Sequence, residues 1–177
     1  GAELFDLVLS DTSGRDRAVT LVYAVPIDPA GLAWLEDPRR SAAVEPRREY
    51  MDAARFHLGA NGRISRYPFS AVAGAAEGVA LGIDLAHPAV YRTGYNAGTG
   101  ELFLAFDIGL APEKPSARLR FCRFGFEPAW GFRSALARYY ALFPEAFRCL
   151  TPKQGLWMPF AKISKVEGWE DFGFQFK

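Results

Sequence analysis

Acidic pairs are the first residues to weigh in this sequence for chemistry. Asp84 and Asp107 each close a β-rich run, and Glu167, Glu170 and Asp171 cluster near the C-terminus. Two carboxyl groups flanking one bond can share acid and base work, as glycoside hydrolysis requires. Turn-forming Asp and solvated Glu explain the same residues, and no spacing singles out one pair. His57 and His87 stand thirty positions apart, with no Cys or His at metal-ligand spacing, so neither a metal nor another cofactor is expected. No nucleophile elbow, phosphate-binding loop or dinucleotide-binding glycine pattern occurs. The glycines of Gly94-Tyr-Asn-Ala-Gly98 lie between two β runs and are explained by turn geometry. No catalytic residue is assigned.

Aromatic rings are the other resource. Trp34, Tyr95, Trp157 and Trp169 could stack on the apolar C–H face of a sugar, although an aromatic content of 15% places most rings in a core. Trp34 lies in a polar stretch with Glu36, Asp37, Arg39 and Arg40, where it could equally plug the end of a β-sandwich. The candidate carbohydrate contacts are Trp34, Asp37, Arg92, Tyr95, Trp157 and Glu167.

The elements that must position these residues are mainly strands. Four β-rich runs follow one another in 79–83, 89–95, 101–107 and 117–126. Asn96-Ala-Gly-Thr-Gly100 joins the second to the third as a hairpin, because Asn and Gly tolerate the positive φ of tight turns. In the last run Leu119, Phe121, Arg123 and Gly125 share one face, and Arg118, Arg120, Cys122, Phe124 and Phe126 the other. Apolar groups on both faces imply a strand covered on both sides. Earlier, 3–10 and 18–25 read as strands joined by a turn rich in Asp, Ser and Gly. Residues 30–40 read as a loop or short helix, 48–51 and 54–58 as short strands, and 59–62 as a turn. Pro68 holds Tyr67 extended, which marks that segment as an edge or a bend. After Phe126 the period changes: Phe132, Leu136, Tyr139 and Phe143 recur at helical spacing, so a helix spans about 131–143. Two more β runs follow, at 155–160 and 173–176.

The totals fit this reading. The 177 residues suit one ordinary domain with a small appendage, and 50% hydrophobic content supplies a sizeable core. A net charge of +1 gives no basic excess for nucleic acid, and no apolar run of about 18 residues could cross a membrane as a helix. Cys122 and Cys149 are expected to be buried thiols. No signal peptide is legible, and both ends read as cut from something longer. Residues 156–176 carry ten large apolar side chains, among them Trp157 and Phe174. They are expected to form a homodimer or fold back along the helix.

Several phrases resemble a region of large bacterial glycoside-hydrolase-like proteins: Arg66-Tyr-Pro-Phe-Ser-Ala-Val72, His87-Pro-Ala-Val-Tyr-Arg92, Phe106-Asp-Ile-Gly-Leu110 and Trp130-Gly-Phe-Arg-Ser-Ala-Leu-Ala-Arg-Tyr-Tyr140. There a galactose-mutarotase-like β-sandwich, or supersandwich, precedes a linker helix and then a catalytic (β/α)₈ barrel. The resemblance implies an antiparallel β-sandwich with a terminal helix over 1–150, and over 151–177 a linker and the start of a truncated following domain. The family's catalytic carboxylates lie on later barrel strands, so none is carried over. The resemblance implies an accessory domain of a carbohydrate-active enzyme that helps shape the substrate cleft and is not catalytic alone. Its partner would be carbohydrate or the missing catalytic domain. A stand-alone carbohydrate-binding or adhesion-type β domain is the alternative.

Overall fold

The structure is a computed structural model that describes residues 1–52 and 65–150 and, beyond them, only 162, 165, 167 and 168. It divides into two compact units, Gly1–Ala146 and Phe147–Lys177. The strands of the first unit are β1 (Ala2–Ser10), β2 (Arg17–Pro26), β3 (Ala33–Asp37), β4 (Arg40–Ala43), β5 (Glu49–Tyr50), β6 (Phe69–Ala73), β7 (Gly78–Ile83), β8 (Tyr91–Asn96), β9 (Glu101–Leu110) and β10 (Ser116–Phe126). The helix α1 (Phe132–Leu142) and a 3₁₀ turn over Pro144–Phe147 follow. The strands form two antiparallel sheets, a β-sandwich. One sheet has the order β1-β10-β7-β6-β3-β4 and the other β2-β9-β8-β5.

The two-faced pattern of β10 explains the layering. Strand partners directly opposite each other share a face, so Phe121 stands with Phe5 and Ile83 toward the four-stranded sheet. There they join Leu81, Leu119, Val72 and Trp34 against Leu102, Leu104, Phe106 and Tyr95 in one buried cluster. The other face of the six-stranded sheet presents Cys122, Phe124, Ala80, Ala71, Phe69 and Leu35, and α1 covers it with Phe132, Ala135 and Tyr139. The unit therefore has three layers, sheet on sheet and helix on sheet.

The helix is held by that packing. Gly131 at its N-terminus provides no side-chain cap, and no acidic residue stands in the first turn or basic residue in the last. Phe132 stacks on Phe69 with ring centres 4.9 Å apart, and the buried Tyr139 hydroxyl donates to the Ile83 carbonyl at 2.7 Å. Gly82 makes the close approach possible: a Cβ there would sit 2.8 Å from Phe69 Cβ and 3.2 Å from a Tyr139 ring carbon. Leu136 and Phe143 pack partly buried along the same stripe.

Several sequence expectations are corrected. Residues 33–43 are not a loop or helix but the antiparallel pair β3–β4, turned by Pro38 and Arg39. Of the edge or bend expected around Pro68, the bend is present at residues 66–68, but the strand it leads into is no edge: β6 lies between β7 and β3, and all five of its residues are buried. The expected strands at 3–10 and 18–25 are present as β1 and β2, and the turn between them carries the chain from one sheet to the other. Of the two expected buried thiols, Cys122 is buried and Cys149 exposed. The expected strand at 54–58, the turn at 59–62, the β runs at 155–160 and 173–176, and the apolar C-terminal segment lie outside the described residues.

Candidate functional site

Within the first unit, Trp34 and Tyr95 lie in the core while Asp37 and Arg92 lie on its outside. Trp34 is 4% exposed within the sandwich core, its ring 6.0 Å from that of Tyr50. Tyr95 is fully buried and its hydroxyl donates to the Ile27 carbonyl at 2.7 Å, while burial raises its pKa. Neither ring has a free face for a sugar, which corrects both assignments: the apolar positions of β3 and β8 turn inward. Arg92 lies on the outer face of the four-stranded sheet and holds Asp107 through two nitrogens at 3.2 and 3.3 Å, with Thr20 donating to the same carboxylate. Asp37 shapes the β3–β4 turn, its carboxylate accepting the backbone N–H groups of Arg39 and Arg40 and the Arg40 guanidinium. These bonds, that to the Arg39 N–H first, hold its pKa below the usual carboxylate range. Glu167 is exposed in the second unit, and Trp157 lies outside the described residues.

The exposed indole is elsewhere. Trp130 is 73% exposed in the turn between β10 and α1. Its backbone is fixed on both sides, the N–H donating to Ser134 Oγ at 3.2 Å and the carbonyl accepting from the Arg133 N–H. Just before it, Glu127 caps the Ala129 N–H at 2.8 Å. Arg133 then donates through Nε to the Pro38 carbonyl at 3.1 Å, tying the start of α1 to the β3–β4 turn. Arg133, three positions after Trp130, thereby meets the turn next to Glu36, Asp37, Arg39 and Arg40. Arg40 binds both Asp37, at 2.7 Å, and Glu36, at 3.2 Å, and Arg39 is exposed without an ion pair to a described residue. An exposed, flat apolar ring suits a ligand with one apolar face. Sequence reasoning missed Trp130 because it falls directly before the helical stripe, where a core role is the simpler reading.

The remaining charges are arranged in pairs. Asp6 takes both ends of the Arg118 guanidinium, and Arg120 lies between Asp6 and Asp84, with its Nη1 3.2 Å from His87 Nδ1. The same His87 Nδ1 also lies 3.5 Å from Asp84 Oδ2. Asp84 and Asp107, the carboxylates that end β-rich runs in the sequence, are thus each committed to an arginine. A cleft of about 350 Å³ opens between Ala2, Glu3, Val25, Val79 and Arg123. Its side-chain charges are Glu3 and Arg123, joined at 2.6 Å. Among the described residues, no group of three His, Cys, Asp or Glu side chains could hold a metal ion, and no helix is long and apolar enough to cross a membrane.

No protein-family model, curated protein or solved structure matches the chain.

Proposed function

We propose that this chain is an accessory β-sandwich of a carbohydrate-active enzyme, which contributes to holding a glycan and performs no hydrolysis by itself. The observation that carries the reading is Trp130, an exposed indole on a turn whose backbone is held by Ser134 and Arg133. A pyranose ring placed on the indole would bury its C–H face there. The order of elements supports the accessory role: two sheets, one docked helix, and then a separate unit from Phe147. That order is the layout implied by the resemblance to galactose-mutarotase-like sandwiches that precede a barrel. Asp84 and Asp107, each tied to an arginine, leave little free carboxylate for acid–base work in the sandwich.

The same indole also suits the alternative, a self-sufficient carbohydrate-binding domain. The two are separated by titrating the chain with a panel of neutral oligosaccharides, alone and joined to whatever its gene encodes beyond Lys177. An accessory domain binds weakly alone and tightens when the following domain is attached, whereas a self-sufficient one binds equally in both forms. In either case Trp130→Ala should weaken binding by about tenfold or more, as truncation of an aromatic binding anchor costing about 2 kcal/mol or more implies. Binding indifferent to Trp130→Ala removes the basis of the proposal.

A further inference from the structure

We infer that β1 is a dimerisation edge, on which a second copy of this chain pairs antiparallel and continues the six-stranded sheet. Strand β1 is the outermost strand of that sheet, and among the described residues no strand pairs with its other edge. The direction of its backbone groups follows from two hydrogen bonds. The Gly1 carbonyl accepts from the Gly125 N–H, and the Asp11 N–H donates to the Pro115 carbonyl, so odd-numbered residues turn their polar groups inward toward β10. The even-numbered residues Leu4, Asp6 and Val8 therefore point their N–H and C=O groups outward, as a ladder with no strand among the described residues on its far side.

The side chains make this edge self-complementary. Leu4 is 60% exposed and Val8 67%, and they flank Asp6 at equal spacing on one face. Two copies of β1 related by a two-fold axis at Asp6 would bring Leu4 opposite Val8 on both sides of the axis. On the other face Phe5 would meet Leu7, which is 38% exposed in the single chain. In this register Leu4, Asp6 and Val8 all fall in pairs that exchange hydrogen bonds. The one like-charged pair, Asp6 with its copy, is already compensated within each chain, because Arg118 holds Asp6 with two nitrogens and Arg120 lies 3.7 Å away. Strand β1 contains no proline, lysine or arginine to block pairing, and its two charges, Glu3 and Asp6, are each held by an arginine of β10. The edge of the other sheet, β2, fits less well: it ends in Pro26, and its exposed Val22 lies between Thr20 and Ala24 with no second large aliphatic to pair across an axis.

The test is sedimentation of the whole chain over a dilution series, beside three variants. Val8→Pro removes an N–H that faces outward, so the fold should persist by circular dichroism while the dimer is lost. Leu4→Lys should also give a monomer, by placing a charge in the apolar pair. Val22→Lys, on the other edge, should leave the dimer intact. The expected result is twice the chain mass for the wild type and Val22→Lys, and the chain mass for the two β1 variants. A wild type that is monomeric throughout, or a dimer that survives both β1 substitutions or dissolves with Val22→Lys, overturns the inference.

Discussion

Replacing Phe132 by alanine tests the helix–sheet layer most sharply. Phe132 is 4% exposed, stacked on Phe69, and its ring centre lies 4.9 Å from that of Tyr67. An 11-residue helix without a side-chain cap is marginal alone, so it depends on this face. Removing a buried phenylalanine ring costs about 3–5 kcal/mol through lost burial and the cavity left behind. For a domain of roughly this size each kcal/mol lowers Tm by about 2–4 °C, which gives a drop of roughly 6–20 °C. Urea unfolding followed by both circular dichroism and tryptophan fluorescence measures the change and shows whether the helix and the sheets unfold together. A loss below about 1 kcal/mol would refute the reasoning, since it would mean the ring is not buried against the sheet.

Gly94→Ala should destabilise the four-stranded sheet, because an added Cβ would lie 2.3 Å from the Tyr50 carbonyl oxygen and neither backbone can yield cheaply; an unchanged urea midpoint would contradict this. Ellman's reagent should titrate Cys149 in the native chain and reach Cys122 only after denaturation, since burial pushes the Cys122 thiol up to about 12. Asp52 is 9% exposed with Oδ2 unpartnered, and burial raises its pKa in spite of the Arg66 guanidinium on Oδ1. A raised folded pKa means its contribution to stability is fully present below the unfolded value and is lost as pH rises through the folded one. The stability of the wild type relative to Asp52→Asn should therefore fall with increasing pH across that window, measured by urea midpoints from acid to neutral pH; a rise would reverse the assignment.

Much of the scaffold is legible in the residues. Alternation in 101–107 and 117–126, the Asn-Gly turn between them and β8, and the helical stripe from Phe132 all appear as the sequence implies. The apolar groups on both faces of β10 announce a strand covered on both sides, by the second sheet and by α1. The β3–β4 pair is hidden because its strands are short and meet at Asp37-Pro38, which read as a loop. That β6 is central is hidden too, because Pro68 suggests an edge while the burial of Phe69–Ala73 depends on partners far along the chain. The candidate site suffers most from this. Whether an aromatic ring is core or surface is decided by tertiary packing, so Trp34 and Tyr95 could not be told from Trp130 by residue type. Asp37 and Arg92 are correctly polar positions, yet their partners, Arg40 and Asp107, emerge only when the turn and the sheet are built.

The central claim, that Trp130 presents the glycan-contacting face of an accessory sandwich, is tested most directly by the tryptophan indole N–H signals in a proton–nitrogen correlation spectrum. The chain has four tryptophans, and the Trp130 signal is the one that vanishes in Trp130→Ala. On adding neutral oligosaccharides, that signal should move while the signal of the buried Trp34 stays in place, and aryl-glycosides should remain intact. A Trp130 signal indifferent to every oligosaccharide, or glycoside turnover abolished by Glu167→Gln, would contradict the account.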